Sequence, residues 1–139
     1  MALLVLDTSV ILKWFKEEEY TKTALKIKKE FIVGVHELVV PDLALYELVN
    51  AMRFSEGFDE ETIKKSLEKF IDLEIDIVIP TQEIINFAIE LSYTYDITVY
   101  DAVFVSLAKL IGAIFVTADK KLYEKIKELK FVKFITELK

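Results

Sequence analysis

Residues 2–10 read ALLVLDTSV: five apolar residues, Ala2 to Leu6, end abruptly on Asp7. A short apolar run of this kind reads as a buried strand, and a carboxylate in that row is costly unless something pairs with it. Asp7 is therefore expected to be a cap or a ligand. Working outward, Leu38–Val40, Ile75–Ile79, Ala113–Val116 and Phe131–Ile135 are further short, mostly apolar stretches that read as strands.

Helical patterns lie between them. Ile63, Leu67, Phe70 and Ile71 form one stripe, Ile84, Ala88, Leu91 and Ser92 a second, and Leu122, Ile126 and Leu129 a third. Residues 101–111, DAVFVSLAKLI, are apolar nearly all round, which predicts a central buried helix starting on the capping residue Asp101. Strands alternating with helices imply an α/β fold: a mostly parallel sheet of about five short strands with helices on both faces. With 139 residues, 53% of them hydrophobic, and no linker or repeat, the expectation is one domain over 1–139.

Composition removes several chemistries. The chain has no Cys and a single His, His36, so disulfides, thiolate metal sites and most zinc or histidine catalysis are excluded. No apolar stretch approaches the ~20 residues that span a bilayer, and residues 1–10 lack the basic start and cleavage site of a secretory signal. A cytoplasmic protein without a membrane partner is expected. There is no GxxxxGK[ST] loop and no GxGxxG turn to cradle a nucleoside triphosphate or dinucleotide.

In open α/β sheets, ligands bind outside the carboxyl ends of the strands. Four acids map to that edge: Asp7 after the first strand, Glu47 in the helix that begins near Pro41-Asp42, Asp101 at the start of the buried helix, and Asp119 after the fourth strand. Glu47 stands among apolar residues in LALYELVNAM, on a stripe with Leu43, Asn50 and Phe54. Taken singly, each acid has a plain alternative, a helix cap for Asp7, Asp101 and Asp119 and a solvated helix face for Glu47. Taken together, four carboxylates at one edge repel one another unless a cation lies between them. All-oxygen ligands without His or Cys favour Mg²⁺ or Mn²⁺, with Thr8, Ser9, Thr117 and Asn50 as supporting polar groups. Such a cation commonly handles phosphates, which makes phosphodiester hydrolysis the leading chemistry.

DTS after the first strand, ELVNA in a helix, TVYDA opening another and TAD after the fourth strand together resemble a PIN domain. The resemblance runs from Asp7 to Asp119 and beyond, and the bare size is similar to VapC-type toxins of toxin–antitoxin pairs. It implies an endoribonuclease in which Asp7, Glu47, Asp101 and Asp119 hold one or two Mg²⁺ or Mn²⁺ ions. A water activated by metal and carboxylates would leave a 5′-phosphate and a 3′-hydroxyl. It also implies an RNA substrate, a homodimer and a cognate antitoxin. In one departure, Lys120 and Lys121 stand where many relatives carry a further acid.

Two other readings compete. A PIN-like scaffold would bind RNA or protein without cutting, but degenerate members generally lose acids and this chain retains all four. A haloacid-dehalogenase-like phosphatase also places Asp after a first strand, yet its DxD pattern needs an acid where Ser9 stands. The net charge of −6 opposes a polyanion. Setting the four ligands aside leaves 20 acids against 18 bases, or −2. Lys13, Lys16, Arg53, Lys120 and Lys121 lie near the site edge in sequence, where they face phosphates or simply solvent. Trp14 and Phe15 read as packing, and residues 132–135, VKFI, as an edge strand.

Overall fold

The run ALLVL is a strand in the computed structural model, which describes residues 2–138. Met1 and Lys139, the two ends of the expected 1–139 domain, lie outside the described residues. In chain order the elements are β1 (Ala2–Leu6), α1 (Thr8–Ile11), α2 (Thr21–Ile32), β2 (His36–Pro41), α3 (Leu43–Arg53) and α4 (Glu60–Asp72). Then come β3 (Asp76–Val78), α5 (Gln82–Tyr95), α6 (Val99–Ile111), β4 (Ile114–Thr117), α7 (Lys120–Ile126) and β5 (Val132–Phe134). Short 3-10 turns follow α1 and β5.

All five strands pair in parallel, in the order β3-β2-β1-β4-β5. The chain winds outward from β1 through β2 to β3, then returns to the other side of β1 for β4 and β5. The order therefore reverses between β1 and β4, where Leu4 pairs with Ile114 and Leu6 with Val116. The Asp7 N–H extends that ladder by donating to the Val116 carbonyl at 2.9 Å. A crevice at such a reversal is where open α/β sheets present ligand sites.

Leu4, Val5 and Leu6 are all buried, as a strand covered on both faces requires. The expected central helix is α6, whose residues Ala102 to Ala108 are buried without interruption. Within it the Ser106 hydroxyl donates to the Ile84 carbonyl of α5 at 2.7 Å, which removes the penalty of an unpaired buried hydroxyl. Gly112, at φ 72°, ends the helix in the left-handed region that favours glycine. Trp14 packs as expected, with its indole N–H donating to the Ala24 carbonyl at 2.8 Å and its ring 6.3 Å from that of Phe70.

Two helix expectations are corrected. The buried helix does not start on Asp101: Thr98 is its cap, accepting from the Asp101 N–H at 3.0 Å, and the helix begins at Val99. Leu129 lies beyond α7, which ends at Ile126 after only two turns.

Candidate metal and nucleic-acid site

Asp7 is the residue about which the site is built. It occupies the cap position of α1, yet its side chain bonds no backbone N–H there and turns into the β1–β4 crevice, 5% exposed. The hydroxyls of Ser9 and Thr117 both donate to its Oδ2, at 2.7 and 2.8 Å. Those hydroxyls also accept backbone donors of the segment after β4: Ser9 Oγ from the Ala118 N–H at 2.9 Å, and Thr117 Oγ1 from the Asp119 N–H at 3.0 Å. Each therefore works in both directions, fixing the carboxylate and capping the strand end. No hydrogen bond among the described residues falls on Asp7 Oδ1.

Burial pushes the Asp7 carboxyl up to about 7 from its ordinary 3.8. The two hydroxyl donors pull it back, and the charges of Asp101 and Glu47 raise it further. Glu47, half-buried on α3, accepts from the Thr8 hydroxyl at 2.8 Å. Its carboxyl is raised by burial, held down by Thr8, and raised again by Asp101. Asp101 is raised by burial and by the Asp119 charge, and lowered by Thr98 and Lys125. Each acid is thus coupled electrostatically to at least one other.

Their placements differ. Asp7 and Asp119 leave neighbouring parallel strands, and Glu47 lies on the helix that follows β2. Asp101 does not follow a strand: it arrives through the α5–α6 turn, with only Asp96, Ile97 and Thr98 between the two helices. Asp119 is exposed and serves as a helix cap, accepting from the Leu122 N–H at 3.1 Å. Asn50 lines the same cleft as Glu47 and is exposed. Among the described residues, no three His, Cys, Asp or Glu side chains form a ready cage for an ion. The fit to a hard divalent cation lies in the donors: oxygen ligands only, a buried carboxylate with one oxygen left over, and mutual repulsion that a cation relieves.

Three of the five flanking cations have other duties. Lys13 is buried and paired with Glu18 at 3.3 Å. Lys16 reaches Glu18 at 3.6 Å and the Ser55 hydroxyl at 3.3 Å. Arg53 lies over the Phe54 ring at 5.0 Å, and Lys120 and Lys121 are exposed at the start of α7. From Glu47 a cleft of about 1250 Å³ opens between α3 and α4. Sequence reasoning passed over two residues on its wall, Tyr46 and Tyr100. The available signal was their position, each directly before a site acid.

A parallel five-stranded sheet whose strand order reverses between β1 and β4, with the buried Asp7 at that crevice, defines a class, and the chain belongs to the PIN domain family, which it matches over residues 4–128. Ribonuclease VapC3 of Pyrobaculum aerophilum is 30% identical over 130 residues, covering 91% of this chain and 96% of that protein. The fold is similar to a toxin–antitoxin complex from Klebsiella pneumoniae, with a TM-score of 0.71 and 16% identity over 99% of this chain and 100% of that one. It is also similar to VapBC-1 of nontypeable Haemophilus influenzae, with a TM-score of 0.70 and 18% identity over 97% of this chain and 99% of that one.

Proposed function

We propose that this chain is a metal-dependent endoribonuclease, the toxin of a toxin–antitoxin pair, acting in the cytoplasm as one domain over 1–139 and pairing with a second copy. Asp7, Glu47, Asp101 and Asp119 would hold Mg²⁺ or Mn²⁺. Thr8, Ser9 and Thr117 orient the first two acids and the strand end, and Asn50 borders the cleft beside them. The observation that carries this reading is Asp7, buried at the β1–β4 crevice beside other acids and held through one oxygen by two hydroxyls. Such a carboxylate is poorly placed for stability and well placed for a cation.

When bound, a divalent cation supplies Lewis-acid polarisation of the phosphodiester and a more acidic water. The chain's own share is orientation. Ser9 and Thr117 leave Asp7 Oδ1 free, and Thr8 holds Glu47 at the mouth of the cleft. In the hydrolysis a water oxygen bonds to phosphorus and the bond to O3′ breaks. The water proton passes to a carboxylate and O3′ takes a proton from solvent.

The 30% identity to a ribonuclease along nearly its whole length supports nuclease chemistry, and likeness to a toxin–antitoxin complex supports a protein partner. No described helix is long and apolar enough to cross a membrane. The lack of a ready cage among the described residues favours one second reading, a scaffold that binds without cutting.

The deciding experiment is cleavage of a mixed-sequence single-stranded RNA with Mn²⁺, with Mg²⁺ and with chelator, Asp7→Asn run in parallel. Metal-dependent cutting that the variant loses is the expected result. Equal cutting by Asp7→Asn overturns the assignment, and no cutting together with no thermal response to metal selects the scaffold.

A further inference from the structure

Two of the site acids follow directly on tyrosines, Glu47 on Tyr46 and Asp101 on Tyr100. Tyr46 is 67% exposed and Tyr100 65%, and both line the cleft that opens from Glu47. None of the ring pairs formed among the described residues uses either tyrosine. The remaining wall is largely apolar, with Leu43, Val49, Ile63 and Leu67. Two unstacked rings from different helices, beside a common apolar wall at the acid centre, suit a flat aromatic ligand.

Charge decides which part of an RNA they would hold. The cations lining the cleft are Arg53, which lies over the Phe54 ring, and Lys64, which is paired with Glu60 at 2.9 Å. Glu47, Asp59 and Glu60 line the same space, and the whole chain carries −6. The phosphate attraction that dominates ordinary nucleic-acid binding is therefore weak here. Affinity has to come from the uncharged faces of bases, which stack on aromatic side chains when they are unpaired.

We propose that Tyr46 and Tyr100 stack unpaired bases of single-stranded RNA beside the acid centre, so that base stacking rather than phosphate contact holds the substrate at Glu47 and Asp101. This rests on the ribonuclease reading above. Duplex RNA, whose bases already stack on one another, is then a poor substrate, and binding depends only weakly on salt because few phosphates are neutralised.

The test places 2-aminopurine at each position in turn of a single-stranded RNA of about ten nucleotides, within the usual span of such sites. Fluorescence is read on mixing with the wild-type protein in chelator, and KM and kcat are measured on the same RNA with Mn²⁺. Quenching at one or two neighbouring positions is expected, lost in Tyr46→Ala and Tyr100→Ala and kept in Tyr46→Phe and Tyr100→Trp. Each alanine variant should raise KM roughly 5- to 150-fold, the span of one lost stacking contact, with much less effect on kcat. Normal cleavage without quenching at any position, or with KM unchanged in both alanine variants, overturns the proposal and leaves the cleft to a protein partner. Quenching without cleavage keeps the stacking and overturns only the nuclease reading.

Discussion

Replacing Asp7 by Asn should make the metal-free protein more stable, and increasingly so as pH rises. Asp7 is an acid whose folded pKa, about 7, lies above its ordinary 3.8. Between those values the unfolded chain binds fewer protons than the folded one, so this group's contribution to stability falls as pH climbs through the window. A gap of about three units corresponds to roughly 4 kcal/mol of cost at pH 8, of which roughly 2 kcal/mol is already present at pH 5. Asn carries no charge, and its Oδ1 can accept the Ser9 and Thr117 hydroxyls in place of Asp7 Oδ2. The variant's advantage over wild type should therefore widen by about 2–3 kcal/mol from pH 5 to pH 8. For a domain of this size that is an extra Tm gap of roughly 6–12 °C. Urea or thermal unfolding of both proteins in chelator at the two pH values measures it, and comparing the pair cancels the titration of groups they share. A gap that stays constant or narrows with pH would refute the claim that burial raises the Asp7 carboxyl.

Metal should narrow that gap. Mg²⁺ or Mn²⁺ at about a hundred times its Kd should stabilise wild type by about 2.7 kcal/mol while leaving Asp7→Asn nearly unmoved, as thermal melts across a metal titration would show. A flat wild-type response counts against the cluster. Ser106→Ala removes the buried donor to the Ile84 carbonyl and should cost about 1 kcal/mol in urea unfolding, without altering the metal response. A changed metal response would mean that the α5–α6 contact also sets the position of Asp101.

The sheet was largely legible in the sequence because its three central strands, β1, β2 and β4, are largely buried and leave apolar runs, while the edge strands β3 and β5 are more exposed and carry Asp76 and Lys133. Each of the five runs contains or overlaps a strand, with ends shifted by one or two residues where pairing extends past the apolar stretch, as at His36 and Pro41 in β2. α2 left no such trace. Only Thr21, Ala24 and Ile27 of its twelve residues are buried, and the intervening lysines and threonines mask so thin a stripe. Asp7, Glu47 and Asp119 stood out because each sits at a strand end or on the helix after one, whereas Asp101 stood out as the start of an apolar helix. The cap of α6 was misplaced because Thr98 and Asp101 are both good capping residues three positions apart, and only the backbone shows which one turns back. Capping by Thr98 leaves the Asp101 carboxylate half-buried and available to the site. Tyr46 and Tyr100 were hidden for a different reason: exposure is a property of packing, and an isolated aromatic in a helix reads first as core.

What holds Asp7 in place beside other acids is a pair of hydroxyls rather than a protein cation. Thr117 shows the coupling most directly, since one buried side chain donates to Asp7 and accepts from the Asp119 backbone, joining the ends of β1 and β4. Thr117→Val keeps the shape and deletes both bonds. A hydrogen bond to a charged group contributes about 1.5–3 kcal/mol, so its loss should push the Asp7 carboxyl up by about one unit or more. The declining limb of metal-free stability, where urea unfolding across pH shows stability falling as Asp7 ionises, should extend to higher pH, and the acid limb of cleavage should move with it. Thr117→Ser retains the hydroxyl and loses a single buried methyl, at about 1 kcal/mol of stability, and should leave both limbs where they are in wild type. If Ser shifts the limbs as Val does, packing around the methyl rather than the hydroxyl sets Asp7, and the two-way role assigned to Thr117 is wrong.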